Sequence, residues 1–370
     1  MIATDFKYPN TVRISIIFIG LIALFAVLFV ARGIVVPIIF STIIAILLNP
    51  IVNFLVRIKI NRVIAIVIAL LITFMAIFGL GAFFISQASR FSDAWPTLVD
   101  KFTQFLDEGT IWASDLLKIK PEKIDAWILE GKAELLNKSS AVIGQSLSSI
   151  SHGLVAMLLI PVYIFMMLFY QSLLLEFIQT LFGESHKTEV SKIVMQTKSV
   201  IQHYLLGLII EFAIVATLNT TVLLILGIDY AVLLGIIGAL LNLIPYIGGI
   251  VGVAIPMIVA LVTQNSIWTS VYVLIGYYII QLIDNNLLVP LVVASKVKIN
   301  ALFSVIVVIV GNALWGIPGM FLSIPLLAIV KLICDNVDSL KPWGLLLGDT
   351  MPTSTILNIH PLIKKIKTKL

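Results

Sequence analysis

Residues 231–262 read AVLLGIIGALLNLIPYIGGIVGVAIPMIVALV. Two apolar arms, 231–244 and 250–262, flank Pro245-Tyr246-Ile247-Gly248-Gly249 and carry no charged residue. At about 1.5 Å of rise per residue each arm reaches roughly 20 Å, short of the ~30 Å hydrocarbon core of a bilayer. Proline removes a backbone donor and glycine permits a sharp turn, so the helix is expected to break at the centre. Such a segment is either a broken spanning helix or a hairpin that enters and leaves by one face. A second one lies at 302–333, centred on Gly316-Ile317-Pro318-Gly319.

The surrounding chain places both in a membrane. Of 370 residues, 60% are hydrophobic and 12% charged, and the mean hydropathy is +1.12. Soluble domains hold roughly twice that share of charge, so a water-exposed surface is not available to this composition. An outer-membrane barrel is excluded as well, since its strands alternate apolar and polar residues. The single cysteine, Cys334, rules out an intrachain disulfide. The expected fold is an all-α polytopic membrane protein with about eight hydrophobic segments. Six are apolar runs at 14–31, 34–56, 63–85, 153–175, 204–226 and 267–289. The other two are the broken or re-entrant helical hairpins.

Charge orients the chain. Residues 88–150 hold nine of the 19 acids and seven of the 24 bases, so the net charge of +5 lies elsewhere, in short loops and at the termini. That is the positive-inside pattern of a multi-pass membrane protein, and it removes any need for a nucleic-acid partner. Arg57, Lys59 and Arg62 mark a cytoplasmic loop, and 341–370 is a basic cytoplasmic tail. The domains expected are three spans over 1–87, an extracytoplasmic helical insertion over 88–150, and a core over 151–340. Within the insertion Leu98, Phe102 and Phe105 repeat at helical spacing, as do Ile124, Trp127, Ile128, Gly131 and Leu135. Its two helices suit capping the core, lying on the outer leaflet, or pairing with a neighbouring subunit, so a homo-oligomer is left open. Residues 184–202 read as a separate amphipathic helix before the span at 204–226. If both broken elements re-enter, Lys296 and Lys298 fall in the cytoplasm, which the charge bias favours.

Polar residues at membrane depth are the candidate site. Broken helices leave backbone groups that only protein, water or a ligand can satisfy. Asn242 and Asn312 precede the two tips, and Pro245, Gly248, Gly249, Gly316 and Gly319 form them. Helix starts there direct N–H groups inward, which suits an anion or a polyhydroxylated solute, although a kink alone would account for either tip. The run Gln281-Leu282-Ile283-Asp284-Asn285-Asn286 puts Asp284 about five residues, or ~8 Å, inside its span. A carboxylate so placed is costly and is read as functional: binding a cation, exchanging a proton or orienting a hydroxylated solute. Glu211 is the second acid, and Asn219, Thr220 and Thr221 on its span read as helix–helix hydrogen-bonding groups. No metal spacing joins the four histidines, and no Walker or G-x-S-x-G motif occurs. No enzyme, metal or cofactor is therefore expected, and any active transport must run on a gradient.

With LGIDYAVLLGIIGALLNLIPYIGG, QLIDNNLLVPLVV and GIPGMFLSIPLLAIVKLI in this order and spacing, the chain resembles the autoinducer-2 exporter family over its transmembrane length. The resemblance implies a cytoplasmic-membrane transporter of a small polar solute, with autoinducer-2 the named case. Some members look like Na⁺ or Li⁺/proton antiporters, so a monovalent cation is the alternative cargo. Family-like positions are Asn242, Pro245, Gly248, Gln281, Asp284, Asn285, Pro290, Gly316, Gly319 and Pro325. Two departures stand out: Gly249 occupies a place where relatives often have proline, and Asn300-Ala301 replace a His-Pro pair. Under this reading the tips, with Asn242, Asn285 and Asn312, bind solute, and Asp284 or Glu211 couples to protons.

Overall fold

A computed structural model describes residues 9–117, 159–183, 186–244, 248–264, 266–293 and 299–349. They are helical almost throughout: α1 (Asn10–Val30), α2 (Arg32–Arg57) and α3 (Arg62–Leu117), then α4 (Leu159–Phe169) and α5 (Gln171–Leu181). Next come α6 (Lys187–Ile225), α7 (Ala231–Asn242), α8 (Gly248–Gln264) and α9 (Ile267–Ile283), which runs into a π-helical turn over Asp284–Val293. The chain closes on α10 (Ala301–Trp315), α11 (Ile317–Asn336) and the short α12 (Lys341–Leu347). Among the described residues there is no strand, only an isolated bridge between Ile299 and Gly348. Tip residue Pro245, Lys296, Lys298, the second half of the insertion with Pro121 and Trp127, and the tail beyond Asp349 lie outside the described residues.

By length and composition five helices can cross a bilayer, and the bent pair α4–α5 raises this to six. Four shorter apolar helices accompany them: Ser15–Val30, Ala231–Asn242, Gly248–Gln264 and Ala301–Trp315. The outward faces are apolar to a degree no aqueous surface tolerates: Phe78 is 75% exposed, Ile225 79% and Ile250 74%. This is a multi-pass membrane protein.

Three boundaries differ from the hydropathy reading. The third span and the start of the insertion are one helix, α3, of 56 residues. It runs unbroken through the serines, Gln87 and Arg90 of residues 86–92, and Pro96 is carried within the helix. Phe91 on this extension meets Tyr230 edge to face at 5.4 Å, which seats α3 on the start of α7. Likewise the amphipathic stretch 184–202 and the span at 204–226 are a single helix, α6. Conversely, the run at 153–175 does not stay straight. It bends by 66° at Tyr170, between α4 and α5. Arg62 holds this elbow, donating to the Leu168 carbonyl at 2.7 Å, while Asn49 donates to Gln171 Oε1 at 2.8 Å.

Packing centres on α6. One cluster joins α2, α3 and α4 through Leu48, Val52, Ile66 and Ile164. The other three all include α6. Ile201 and Leu205 meet Ile43 of α2 and Leu322 of α11. Leu223 meets Leu234, Val259 and Val273. Val215 meets Ala239, Ile280 and Leu288.

Both broken elements fold back on themselves as helical hairpins. In α7–α8 the arms touch where Gly238 faces Gly252. In α10–α11 the turn is Gly316, at φ +66, a left-handed conformation that glycine adopts without strain. There Gly311 and Gly319 lie backbone against backbone, and Ser323 donates to the Val307 carbonyl at 2.8 Å.

Candidate functional site

Three helices bring the buried polar groups together. On α6, Glu211, Val215 and Asn219 fall one turn apart and are buried in series. On α9, Tyr277, Gln281 and Asp284 recur at steps of four and three, so they share a face. Asn242 is the last residue of α7, immediately before the hairpin tip. The π-helical turn begins at Asp284 itself. Widened turns of this kind are rare and concentrate at functional positions, because they re-aim side chains that a regular helix would hold in register.

Asn242 is the centre of the arrangement. Its Nδ2 donates to Asp284 Oδ2 at 2.8 Å and reaches Glu211 Oε1 at 3.4 Å. Gln281 Nε2 approaches Asp284 Oδ2 at 3.4 Å and Asn285 Oδ1 at 3.2 Å. Asp284 is 2% exposed and Glu211 5%. Two carboxyl groups thus share one amide inside an apolar bundle, with no cationic side chain among the described residues bonded to either. Such a pair must be balanced by a proton or by a bound positive group, since buried charge without a partner is strongly penalised.

Beside the carboxyl pair lies a cavity of about 110 Å³, several times what one water needs. Asn219, Asn242, Gly248, Gly249, Tyr277, Gln281 and Asp284 contribute to its wall. Three buried oxygens on that wall have no hydrogen-bond partner among the described residues: Asn219 Oδ1, Tyr277 Oη and Asp284 Oδ1. Buried polar atoms are nearly always paired, so three orphans on one small cavity single it out as the candidate binding site.

Of the residues singled out in the sequence, Asn242, Gly248, Gly249, Gln281, Asp284 and Glu211 gather here. Asn285 touches Gln281 but faces outward. The second tip is elsewhere. Asn312 is exposed, its carbonyl accepts from Gly316 N at 2.8 Å, and the adjacent Trp315 donates its indole N–H to the Leu28 carbonyl at 3.0 Å. Asn312, Gly316 and Gly319 therefore do not reach the cavity. Two of its residues were not expected: Tyr277, whose spacing to Gln281 and Asp284 was the available signal, and Asn219, read only as a helix-packing group. No group of three or more His, Cys, Asp or Glu side chains gathers among the described residues.

Replacing Asn242 with alanine deletes the donor common to both acids. Leaving buried acceptors unsatisfied costs about 1–3 kcal/mol, so the variant's unfolding temperature in detergent should fall measurably, whereas Asn285→Ala should leave it unchanged.

The fold is a helical membrane bundle with a small cavity beside a buried carboxyl pair. Residues 17–339 match the model of the AI-2E family transporter, and the chain belongs to that family. PerM of Escherichia coli (strain K12), which bears the name of a permease, is 27% identical over 342 residues, covering 89% of this chain and 93% of PerM. YueF of Bacillus subtilis (strain 168), named as a transport protein, is 32% identical over 153 residues, 41% of each chain. The AI-2 transport protein TqsA of Escherichia coli (strain K12) is 32% identical over 124 residues, 34% of this chain and 36% of TqsA. The matched stretch thus spans about two-fifths of YueF and about a third of TqsA, and nearly all of PerM.

Proposed function

We propose that the chain is a secondary transporter or facilitator that exports a small, hydroxyl-rich polar solute across the cytoplasmic membrane through the cavity at Asp284. The three orphan oxygens carry this reading. Two of them, on Asn219 and Asp284, only accept hydrogen bonds when the acid is ionised, and the third is a phenol. Their complement is a solute that donates. That disfavours the anion which helix N-termini alone would suggest and favours the polyhydroxylated alternative. TqsA's name gives AI-2 as that protein's cargo, which makes autoinducer-2 the first solute to test here.

In this reading α7–α8 re-enters from one face. Its arms of 12 and 17 residues rise roughly 18 and 26 Å, each short of a ~30 Å core. Asp284 and Glu211 carry the coupling proton, which Asn242 sets between them.

The test is uptake of labelled autoinducer-2 into everted vesicles. Native protein should accumulate the solute and lose that capacity when the proton gradient is dissipated. Tyr277→Phe removes one hydrogen bond of about 1–1.5 kcal/mol and should lower solute affinity about tenfold, with the protein still folded. Uptake no greater than in empty vesicles, together with Na⁺-dependent proton movement, would replace the solute by a monovalent cation on the same oxygens.

A further inference from the structure

A second and larger hollow, about 880 Å³, lies away from the carboxyl pair between α2, α4, α5, α6 and α11. Its walls are apolar: Ala45, Ile46, Leu174, Ile178, Val194 and Ile333 are representative. The polar groups within it are mostly engaged. Asn49 and Gln171 bond each other at 2.8 Å, and Thr42 donates to its own helix at Ile38 O, also at 2.8 Å. At the rim Asp338 is tied to Lys341 at 2.6 Å. A polar solute finds nothing to bind here.

Two charged groups, Glu189 and Lys198, break the pattern. Lys198 lines the hollow and makes no ion pair or hydrogen bond among the described residues. The acid nearest to it on the same helix that also lines the hollow, Glu189, is nine residues away, about 13 Å along the axis. Lys198 is half-buried along one side of the apolar groove. Helix α5 flanks the same groove after its 66° turn and buries none of its residues; Leu173, Phe177 and Leu181 face out. A short helix apolar toward both groove and surroundings is suited to lying among lipid chains at the bilayer interface.

We propose that this groove holds one anionic phospholipid, its phosphate on Lys198 and an acyl chain along α2 beneath α5. An apolar chain matches the walls, and a phosphate supplies the counter-charge that Lys198, about 13 Å along α6 from Glu189, lacks. Because Lys198 and Glu211 lie on the same unbroken helix, the lipid is seated on the element that also forms the transport cavity.

The experiment is native mass spectrometry of the full chain after equilibration with equimolar phosphatidylglycerol and phosphatidylcholine. One phosphatidylglycerol should stay bound per chain. Lys198→Gln should reduce the preference for phosphatidylglycerol about fivefold, the effect of one lysine near a lipid headgroup. Val194→Trp, which fills the groove, should abolish retention of either lipid. Should Val194→Trp fail to fold, Ile178→Trp fills the groove from the opposite wall. Equal retention of the two lipids by native protein would overturn the proposal, as would lipid binding unchanged by tryptophan. So would a native chain that holds no lipid while either tryptophan raises its unfolding temperature, because the groove would then be covered by protein.

Discussion

Asp284→Asn should abolish uptake while leaving the protein as stable as native, or more so. Asparagine is nearly isosteric, and its oxygen still accepts from Asn242 Nδ2, which lies 2.8 Å from the native carboxylate. What disappears is the charge. A hydrogen bond to an ionised acceptor exceeds a neutral one by about 1–1.5 kcal/mol, so losing that character alone weakens solute binding by roughly 5- to 13-fold. Loss of the proton that the acid exchanges removes coupling altogether. The stability prediction has the opposite sign, since an ionised aspartate at membrane depth costs about 2.5–3.5 kcal/mol, which the neutral amide is spared. Uptake and unfolding temperature measured on one preparation check both halves. A variant that loses uptake and melts early would make Asp284 a structural group, and its role in transport would have to be abandoned.

Gly248→Ala should be nearly as damaging, for a geometric reason. A Cβ at Gly248 would sit 2.3 Å from Asn242 Cα and 2.5 Å from both Asn242 N and the Leu241 carbonyl oxygen. These are backbone atoms on the facing arm, so no side chain can swing aside. Overpacking of this kind costs about 1–3 kcal/mol, and relief requires the two arms to part. Parting them moves Asn242 away from both acids. We expect a lower unfolding temperature and loss of uptake together. The neighbouring glycine is the control: at Gly249 the nearest atom to an added Cβ is Gln281 Oε1 at 3.6 Å, an ordinary contact. Gly249→Ala should fold and transport as native does. Equal damage from both substitutions would show that the tip needs glycine flexibility and not close approach.

Much of the site was legible because membranes make polar residues conspicuous. Asp284 and Glu211 interrupt apolar runs, and Asn242 stands beside a proline–glycine break, so each announced its cost before any geometry was known. Tyr277 did not, because an aromatic in a hydrophobic helix looks the same whether it packs or points its hydroxyl into a cavity. Asn219 was ambiguous for a related reason: an asparagine bridging two helices and one facing a cavity have the same sequence. The second tip repeats the glycine–proline pattern without an acid nearby, and the pattern alone does not say where a turn is carried in space. Helix boundaries failed at α3 and α6 because hydropathy reports the surroundings of a helix, and a helix can leave the bilayer without breaking. At Tyr170 the reverse holds. The hydropathic run passes over Gln171 and Ser172 while the backbone turns, and the Leu168 carbonyl at the bend is held by Arg62 of another helix, which no local window contains.

The unbroken course of α6 gives the cavity one wall that is tied to most of the bundle. Three separate packings grip this one rod, against α2 and α11, against α7 to α9, and against the π turn, so tilting it would disturb all of them at once. Glu211 and Asn219 are thereby fixed like marks on a doorpost. The α7–α8 hairpin is short and turns at a tip beside Gly248, and it meets the carboxyl pair through the single amide of Asn242. The hairpin is packed on the same rod through Leu234 and Ala239, so the amide of Asn242 is held against both acids by the apolar contacts around it.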